Sequence, residues 1–272
     1  MSTESNFRAP PPRLPRLLCL HGGGTSAMIF KIQTMRLAHC LRPHFHLVYV
    51  NAPFPCGPGM GVLPVFESAG PYYRWTPVNP GDDVTRVRTA IRKAMIEEGD
   101  GMPFVGVMGF SQGAMLAAGI LMEQCRTGAG LAGEDVKFKF GVFLVPGFPP
   151  LGVDSRYTGL GDKYEYGKGE ADSRYHGAIE VPSVHMHGLR DPVVERSRAL
   201  ARCFPDPECE GGKGIPKTIL EFDTEHHLPL GKAGMADTKV LANAILKTYY
   251  GPQWEPDKKA SSGVEDDISY LT

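Results

Sequence analysis

Residues 103–122 read PFVGVMGFSQGAMLAAGILM, an apolar run that leads through a glycine-flanked serine into a second apolar run rich in small residues. The central letters, residues 109–113, match the pattern G-x-S-x-G. A serine on a sharp turn between a strand and a helix needs very small neighbours, which both glycines provide. The pattern also occurs by chance as a flexible turn, but its position between an apolar strand and a helix predicts that Ser111 is an attacking nucleophile.

Short aliphatic runs alternate with amphipathic stretches on both sides of this turn, which is typical of a parallel sheet covered by helices. The predicted strands comprise residues 16–20, 45–50, 103–109, 138–145, 181–187 and 217–222. The predicted helices comprise residues 82–98, 112–124, 193–203 and 235–249. The sequence therefore predicts an α/β fold with a mostly parallel central sheet flanked by helices.

The chain is expected to form one domain. Its 272 residues are 42% hydrophobic and 22% charged, a balance that supplies enough apolar surface for a substantial core. The predicted domain covers residues 16–250, between a flexible N-terminal segment at 1–15 and a polar C-terminal tail at 251–272. Two long stretches rich in glycine, proline and aromatic residues, 52–80 and 146–180, interrupt the alternation and are predicted to form lid-like loop insertions.

The first of these stretches carries aromatic residues that are suited to surround a bound molecule. Phe54, Tyr72, Tyr73 and Trp75 are therefore predicted to line a substrate pocket. Each of them has an equally good alternative place in a small apolar core packed under the loop.

Charge and cysteine usage exclude several classes of protein. With 29 basic and 30 acidic residues the formal net charge is −1, so neither nucleic acid nor a membrane surface is an expected partner. The apolar run at residues 17–20 is too short for a signal peptide or a membrane span. The six cysteines show no metal-ligand spacing, and neither a metal nor a cofactor is predicted. Free thiols in a soluble, cytoplasmic protein are expected, with a Cys203–Cys209 disulfide as the alternative.

A serine hydroxyl is a poor nucleophile and needs a base that takes its proton and a carboxylate that orients the base. Both partners should follow the serine in the chain, each just after a strand. Asp191 ends the segment HGLRD after predicted strand 181–187 and is the candidate acid, with a helix N-cap as its alternative role. The segment DTEHHLP follows predicted strand 217–222 and offers His226 or His227 as the base.

The segment HGGG at residues 21–24 follows the first predicted strand. Glycines at that position let backbone N–H groups approach a substrate oxygen. We therefore predict an oxyanion hole made by the backbone N–H groups of Gly23 and Gln112, and we expect His21 to brace the loop. The Gln112 side chain should matter less than the shape of the turn. A phosphate-binding loop is the weaker alternative, because no phosphate-loop pattern is matched.

Five segments, in this order and spacing, resemble the serine hydrolases of fungi and animals often abbreviated FSH: LCLHGGGTSAMIF, NAPFPCGPG, GFSQGAMLAAG, HGLRDPVV and EHHLP. That family includes the ovarian-cancer-associated hydrolase and thioesterases of fungal polyketide clusters. The resemblance covers residues 16–249 and implies an α/β-hydrolase fold with a catalytic triad at Ser111, Asp191 and His226.

The resemblance also implies which of the two adjacent histidines is the base. The family's histidine sits in the pattern G-G-H-x-[VL]-P, three positions before a proline, and this places it at His226 rather than His227. Here Thr224 and Glu225 stand where the family has two glycines, so the backbone of this loop departs from the family's pattern.

These residues predict acyl transfer to water, in which an ester or thioester is cleaved through an acyl-enzyme. The aromatic and apolar residues of stretch 52–80 predict a hydrophobic acyl chain or an aromatic polyketide as the substrate, rather than a charged metabolite. The resemblance implies a thioesterase of fungal secondary metabolism, with the acyl carrier domain of a polyketide synthase as a candidate partner. A general short-chain carboxylesterase is the nearest alternative. A non-catalytic binding module with a hydrolase fold is a third interpretation, which the presence of all three candidate triad residues disfavours.

Overall fold

The computed structural model describes residues 13–77, 83, 85–97, 101–131, 136–153, 175–210 and 214–256. Most of the predicted N-terminal segment, 1–15, and of the predicted tail, 251–272, lies outside the described residues. So does the middle of the second long stretch, residues 154–174.

Fourteen elements make up the described part of the chain. In chain order they are β1 (Arg16–Leu20), α1 (Ala27–Gln33), α2 (Met35–Leu41), β2 (His46–Val50), β3 (Phe54–Cys56), β4 (Tyr72–Arg74), α3 (Thr85–Glu97), β5 (Phe104–Phe110), α4 (Gln112–Thr127), β6 (Phe140–Leu144), β7 (Ser183–Gly188), α5 (Val194–Ala201), β8 (Lys217–Phe222) and α6 (Ala233–Tyr250).

Six of the strands form one central sheet in the order β2-β1-β5-β6-β7-β8, and every neighbouring pair is parallel. All six are predicted strands; β1 and β8 have the predicted bounds, and the ends of the other four are shifted by one or two residues at most. The predicted α/β fold with a parallel central sheet is confirmed.

The two faces of the sheet bury different residues, as the alternation of side chains along a strand requires. In β1, Leu18 and Leu20 face one apolar core together with residues of α3 and α4. Leu17 and Cys19 face a second core together with residues of α1, α2 and α6. The inner strand β5 is buried at all seven positions because helices cover both of its faces.

Four short elements were not predicted. Helices α1 and α2 have seven residues each, which is too few for a clear helical period. Strands β3 and β4 have three residues each and pair in antiparallel orientation inside the first long stretch. No helix in the described ranges has both the length and the apolar character that a membrane crossing requires.

The six cysteines, all of them within the described residues, are free thiols. Cys203 is buried and Cys209 is exposed, so the alternative of a disulfide between them is wrong. Burial raises the pKa of the Cys203 thiol to about 12, which makes it an unreactive core residue.

Candidate active site

Ser111 occupies a strained turn between β5 and α4. Its backbone has φ of 51° and ψ of −115°, a left-handed φ that residues other than glycine rarely adopt. The chain passes so close to itself here that a Cβ added to Gly109 would lie 2.3 Å from the Gly113 carbonyl oxygen. A Cβ added to Gly113 would lie 2.2 Å from the Leu20 carbonyl oxygen. The two glycines of the motif are therefore required by close backbone contacts on both sides of the serine.

The parallel sheet brings three distant side chains to one edge. Ser111 follows β5, Asp191 follows β7 and His226 follows β8, so all three lie beyond the carboxyl ends of their strands. Nε2 of His226 lies 2.9 Å from Oγ of Ser111, and Nδ1 of His226 lies 2.6 Å from Oδ2 of Asp191. The structure thus joins the three predicted triad residues in one hydrogen-bonded chain.

Asp191 is buried and uses both carboxylate oxygens. Oδ2 accepts the hydrogen bond from His226, and Oδ1 accepts one from the Val193 backbone N–H at 2.9 Å. The N-cap of α5 is Val193, so the alternative role of Asp191 as a plain N-cap is not what the structure shows. Burial by itself raises the pKa of the Asp191 carboxyl, but the hydrogen bonds from His226 and Val193 outweigh it and hold the pKa below its ordinary value.

His227 lies next to the triad without joining it. Its Nδ1 contacts the Leu228 carbonyl oxygen at 2.7 Å, while only His226 bridges serine and aspartate. Neither Thr224 nor Glu225 has a positive φ, so the loop does not need the two glycines that the resemblance led us to expect there.

The predicted oxyanion residues face the same space. Gly23 and Gln112 line the cavity beside Ser111, and their backbone N–H groups make no hydrogen bond to any described residue. The two residues lie close together, since a Cβ added to Gly23 would lie 3.0 Å from Oε1 of Gln112. Two unused N–H donors on residues that line the same cavity as the nucleophile can bind the negative oxygen of a tetrahedral intermediate.

Strand β4 holds the loop of residues 21–25 in place through its backbone. The Gly24 N–H donates to the Tyr73 carbonyl at 2.8 Å, and the Tyr73 N–H donates to the Thr25 carbonyl at 2.7 Å. Gly24 has φ of +71° and packs against the backbone of Gly59, whose N–H donates to the Gly24 carbonyl at 2.9 Å. The first long stretch therefore fixes the backbone of the loop that contains Gly23, one of the two predicted oxyanion residues.

His21 braces this loop from inside the protein, as the sequence predicted. Its Nε2 accepts a hydrogen bond from the Ala52 N–H at 2.9 Å, and its Nδ1 lies 2.7 Å from the Gly22 carbonyl oxygen. Burial lowers the pKa of His21 to about 4, and the hydrogen bond to Gly22 only partly opposes this effect. The ring is therefore neutral at physiological pH, with its proton on Nδ1.

The cavity beside Ser111 has a volume of about 480 Å³. The lining comprises residues 22–25, Gln33, 56–61, Arg74, 110–112, Met115, 147–148, Val193, Arg196 and 226–227. Two arginines belong to it, whereas the described lining contains no aspartate or glutamate. Nowhere in the described ranges do three or more histidine, cysteine or acidic side chains form a group able to hold a metal ion.

The prediction that Phe54, Tyr72, Tyr73 and Trp75 line the pocket is wrong for this cavity, because none of them belongs to its described lining, whose phenylalanines are Phe110 and Phe148. Phe54 and Trp75 are buried in the core on one face of the sheet, and Tyr73 packs against that core. The Tyr72 hydroxyl donates to the Phe66 carbonyl at 2.6 Å.

The same stretch supplies the pocket wall through other residues. Residues 56–61, which read CGPGMG, belong to the lining, and Arg74 adds a cation. Three of these six residues are glycine. This feature of the sequence could have identified the segment as a pocket wall, because glycine has no side chain to cover its backbone.

A family model described as Serine hydrolase (FSH1) matches residues 12–236. The chain belongs to the FSH1 serine hydrolase family. This confirms the resemblance drawn from the sequence motifs, and the FSH1 match spans every residue of the triad arrangement described above.

Fungal esterases and a thioesterase are similar to this FSH1 member over most of its length. The probable esterase azaC of Aspergillus niger is 35% identical over 248 residues, which are 86% of this chain and 85% of the relative. Esterase FUS5 of Gibberella moniliformis is 32% identical over 257 residues, 92% of either chain. Thioesterase FSL2 of Gibberella zeae is 29% identical over 273 residues, 93% of this chain and 100% of the relative.

Solved structures share the fold at much lower identity. SOBER1 of Arabidopsis thaliana has a TM-score of 0.50 and 16% identity, covering 87% of this chain and 100% of that chain. Acyl-protein thioesterase 2 of Zea mays has a TM-score of 0.50 and 17% identity, covering 87% and 96%. The FSH1 member is thus a serine hydrolase with an α/β-hydrolase fold.

Proposed function

We propose that this FSH1-family hydrolase cleaves esters or thioesters through an acyl-enzyme formed on Ser111. The observation that carries the proposal is the pair of hydrogen bonds, 2.9 Å and 2.6 Å long, that connect Ser111, His226 and Asp191. A nucleophile, a base and an orienting carboxylate in this arrangement are the groups that acyl transfer to water requires.

In the first step, Oγ of Ser111 attacks the carbonyl carbon while Nε2 of His226 takes its proton. The imidazolium that forms donates from Nδ1 to the Asp191 carboxylate. Because its pKa lies below the ordinary value, Asp191 stays ionised and stabilises the positive ring. The carboxylate also fixes the histidine tautomer that leaves Nε2 free to accept a proton.

The negative oxygen of the tetrahedral intermediate is bound by the N–H groups of Gly23 and Gln112. Gln112 is the first residue of α4, so the positive end of the helix dipole adds to this stabilisation. Both donors are backbone groups held by tight packing, and they need no rearrangement as charge develops.

Collapse of the intermediate breaks the bond to the leaving group, which receives its proton from His226. A water molecule then loses a proton to His226 and attacks the acyl-enzyme. The second intermediate releases the carboxylic acid and returns the proton to Ser111.

We further propose that the substrate is a polyketide acyl thioester, released or trimmed in fungal secondary metabolism, with the acyl carrier domain of a polyketide synthase as partner. Support comes from the similarity to thioesterase FSL2 and from a cavity of about 480 Å³, which falls in the range of pockets that enclose whole small molecules. A general short-chain carboxylesterase is the second candidate, favoured by the esterase names of the relatives at 35% and 32% identity.

Labelling with a fluorophosphonate probe tests the nucleophile. The wild-type protein should be labelled, and Ser111→Ala should not be. A control variant, Ser68→Ala, changes an exposed serine outside the cavity lining and should label like the wild type. An unlabelled wild-type protein would support the binding-module interpretation instead.

A panel of substrates tests the acyl class. Each acyl chain, from two to about twelve carbons, is offered as a thioester and as the matching oxygen ester, and kcat/KM is measured for both. A polyketide-type thioesterase should favour the thioesters and the longer chains. A preference for short oxygen esters would establish the carboxylesterase interpretation.

A further inference from the structure

We infer that Arg74 recognises an anionic group of the substrate in the cavity beside Ser111. The inference rests on the proposed function, because it assigns the substrate of the same site a negative charge at a fixed place. It goes beyond that function by naming Arg74 as the residue that binds the negatively charged group of the substrate.

Arg74 is a half-buried cation without a carboxylate partner among the described residues. Its Nε and Nη2 donate to the Thr76 hydroxyl at 2.9 Å and 2.7 Å, which uses two of the five N–H bonds of the guanidinium. The other three have no partner in the described part of the chain. Arg88 gives the contrast, since this similarly buried arginine pairs with Glu123 at 2.6 Å. A half-buried guanidinium that no acidic side chain neutralises is prepared to bind an external anion.

The surroundings of Arg74 favour an anion as well. Arg196 is a second arginine in the lining, and the described lining holds no aspartate or glutamate that would repel a negative ligand. The amino end of α4, at Gln112, adds the positive end of a helix dipole. An anionic group entering the cavity therefore meets the guanidinium of Arg74 and the positive end of the α4 dipole.

Hydrogen bonds hold Arg74 at a defined position relative to Gln112, one of the two proposed oxyanion residues. The Thr76 hydroxyl that accepts from Arg74 also accepts from Nε2 of Gln112 at 3.1 Å. Gln112 is the residue whose backbone N–H faces the oxyanion. The guanidinium and the oxyanion site are thus connected through one threonine, so the distance between the substrate's charge and its scissile bond becomes a selection criterion.

Two substrate groups share the chemistry that a guanidinium binds. One is a carboxylate carried by the acyl chain, and the other is the phosphate of a pantetheine arm in a thioester leaving group. Either would form charge-assisted hydrogen bonds with the unused N–H groups of Arg74.

Two matched pairs of substrates distinguish these sources. The first pair is a half-ester of a dicarboxylic acid and an uncharged ester of equal length. The second pair is an acyl-phosphopantetheine and the corresponding acyl-pantetheine. For each pair the ratio of kcat/KM, charged over neutral, is measured in the wild type, in Arg74→Gln and in Arg74→Lys. Arg92→Gln, at an exposed position on α3 outside the cavity lining, is the control for loss of a positive charge.

Arg74→Gln should lower the charged-to-neutral ratio about 10- to 100-fold in at least one pair, mainly through KM, because a uniform binding contact is lost. Arg74→Lys should restore part of the ratio, and Arg92→Gln should leave it unchanged. An effect in the first pair identifies an acyl carboxylate, and an effect in the second identifies the phosphate. A ratio that Arg74→Gln leaves unchanged in both pairs overturns the inference.

Calorimetry separates this test from that of the proposed function. Binding of the charged compounds to Ser111→Ala is compared with binding to the double variant Ser111→Ala, Arg74→Gln, so that the result does not depend on turnover. Weaker binding by the double variant supports the anion site even where no hydrolysis occurs, and equal binding overturns it. Hydrolysis of the neutral substrates by the wild type reports on the proposed function alone.

Discussion

The side chain of Gln112 accepts a hydrogen bond from the Trp75 backbone N–H at 2.9 Å and so joins the first residue of α4 to the segment that follows β4. Its amide nitrogen donates to Thr76 at 3.1 Å. Strand β4 in turn holds the loop of residues 21–25 through Tyr73. The two halves of the proposed oxyanion hole are thus connected through the side chain of one of its own residues, which was expected to matter less than the main chain.

Replacing Gln112 should therefore impair catalysis although its side chain does not touch the reacting atoms in our mechanism. Gln112→Ala leaves the Trp75 N–H without its partner, and we expect kcat to fall about 10-fold. Gln112→Met keeps the volume and loses the hydrogen bonds, so it should behave like the alanine variant. Steady-state kinetics on a neutral ester measure both. A wild-type kcat in Gln112→Met would show that packing, and not hydrogen bonding, is what the side chain contributes.

The adjacent histidines should differ sharply. His226→Ala removes the base that bridges Ser111 and Asp191, and kcat should fall about 10⁴-fold. His227→Ala removes a ring whose Nδ1 contacts only the Leu228 carbonyl among the hydrogen bonds of the described residues, and kcat should stay within about 5-fold of the wild type. Urea unfolding of both variants controls for loss of structure. The reverse ranking would assign the base to His227.

Gly109 should not tolerate a side chain. In Gly109→Ala the new methyl group would lie 2.3 Å from the Gly113 carbonyl oxygen, and the turn must shift to relieve the clash. We expect a loss of about 3 kcal/mol in the free energy of unfolding and a loss of fluorophosphonate labelling. Gly57→Ala is the matched control, since a Cβ there meets no atom within 4 Å, and its midpoint of urea unfolding should equal that of the wild type.

Stability should decline in mild acid because buried histidines resist protonation. Burial lowers the pKa of His21 to about 4 and that of His185 well below its ordinary value of 6.5. The unfolded chain binds these protons first, so the stabilising contribution is complete above pH 6.5 and is lost as the pH falls below it. For His21 alone the loss is about 3 kcal/mol by the time its folded-state pKa is reached.

Urea unfolding at intervals from about pH 7.5 to about pH 4.5 measures this decline. His185→Leu removes one of the buried groups, which lies in the core strand β7 away from the cavity lining. The variant should show a shallower slope, by about 1 kcal/mol per pH unit, whatever its stability at neutral pH. Equal slopes in the variant and the wild type would contradict the explanation.

The sequence by itself determined the sheet, the four longer helices, the positions of Ser111 and Asp191, and the pair of adjacent histidines that contains the base. Long apolar runs and helical periods reflect burial on two faces of a sheet, and burial is encoded locally. The glycines around Ser111 likewise indicated a turn that only very small residues permit. A parallel sheet then brings the ends of its strands to one edge, so residues after those strands could be expected to meet.

Only the tertiary structure decided which residues surround the substrate and which histidine is joined to Ser111 by a hydrogen bond. The aromatic residues of β3, β4 and the segment after them lie outside the cavity lining, whereas Arg74 between them belongs to it. Which residues of so short a segment face the cavity depends on where the segment packs against the rest of the protein. The adjacent histidines are a second example. Nε2 of His226 contacts Oγ of Ser111, whereas Nδ1 of His227, one residue further along the chain, contacts the Leu228 carbonyl oxygen. How a segment packs against the rest of the protein depends on the whole fold, and the local sequence does not show it.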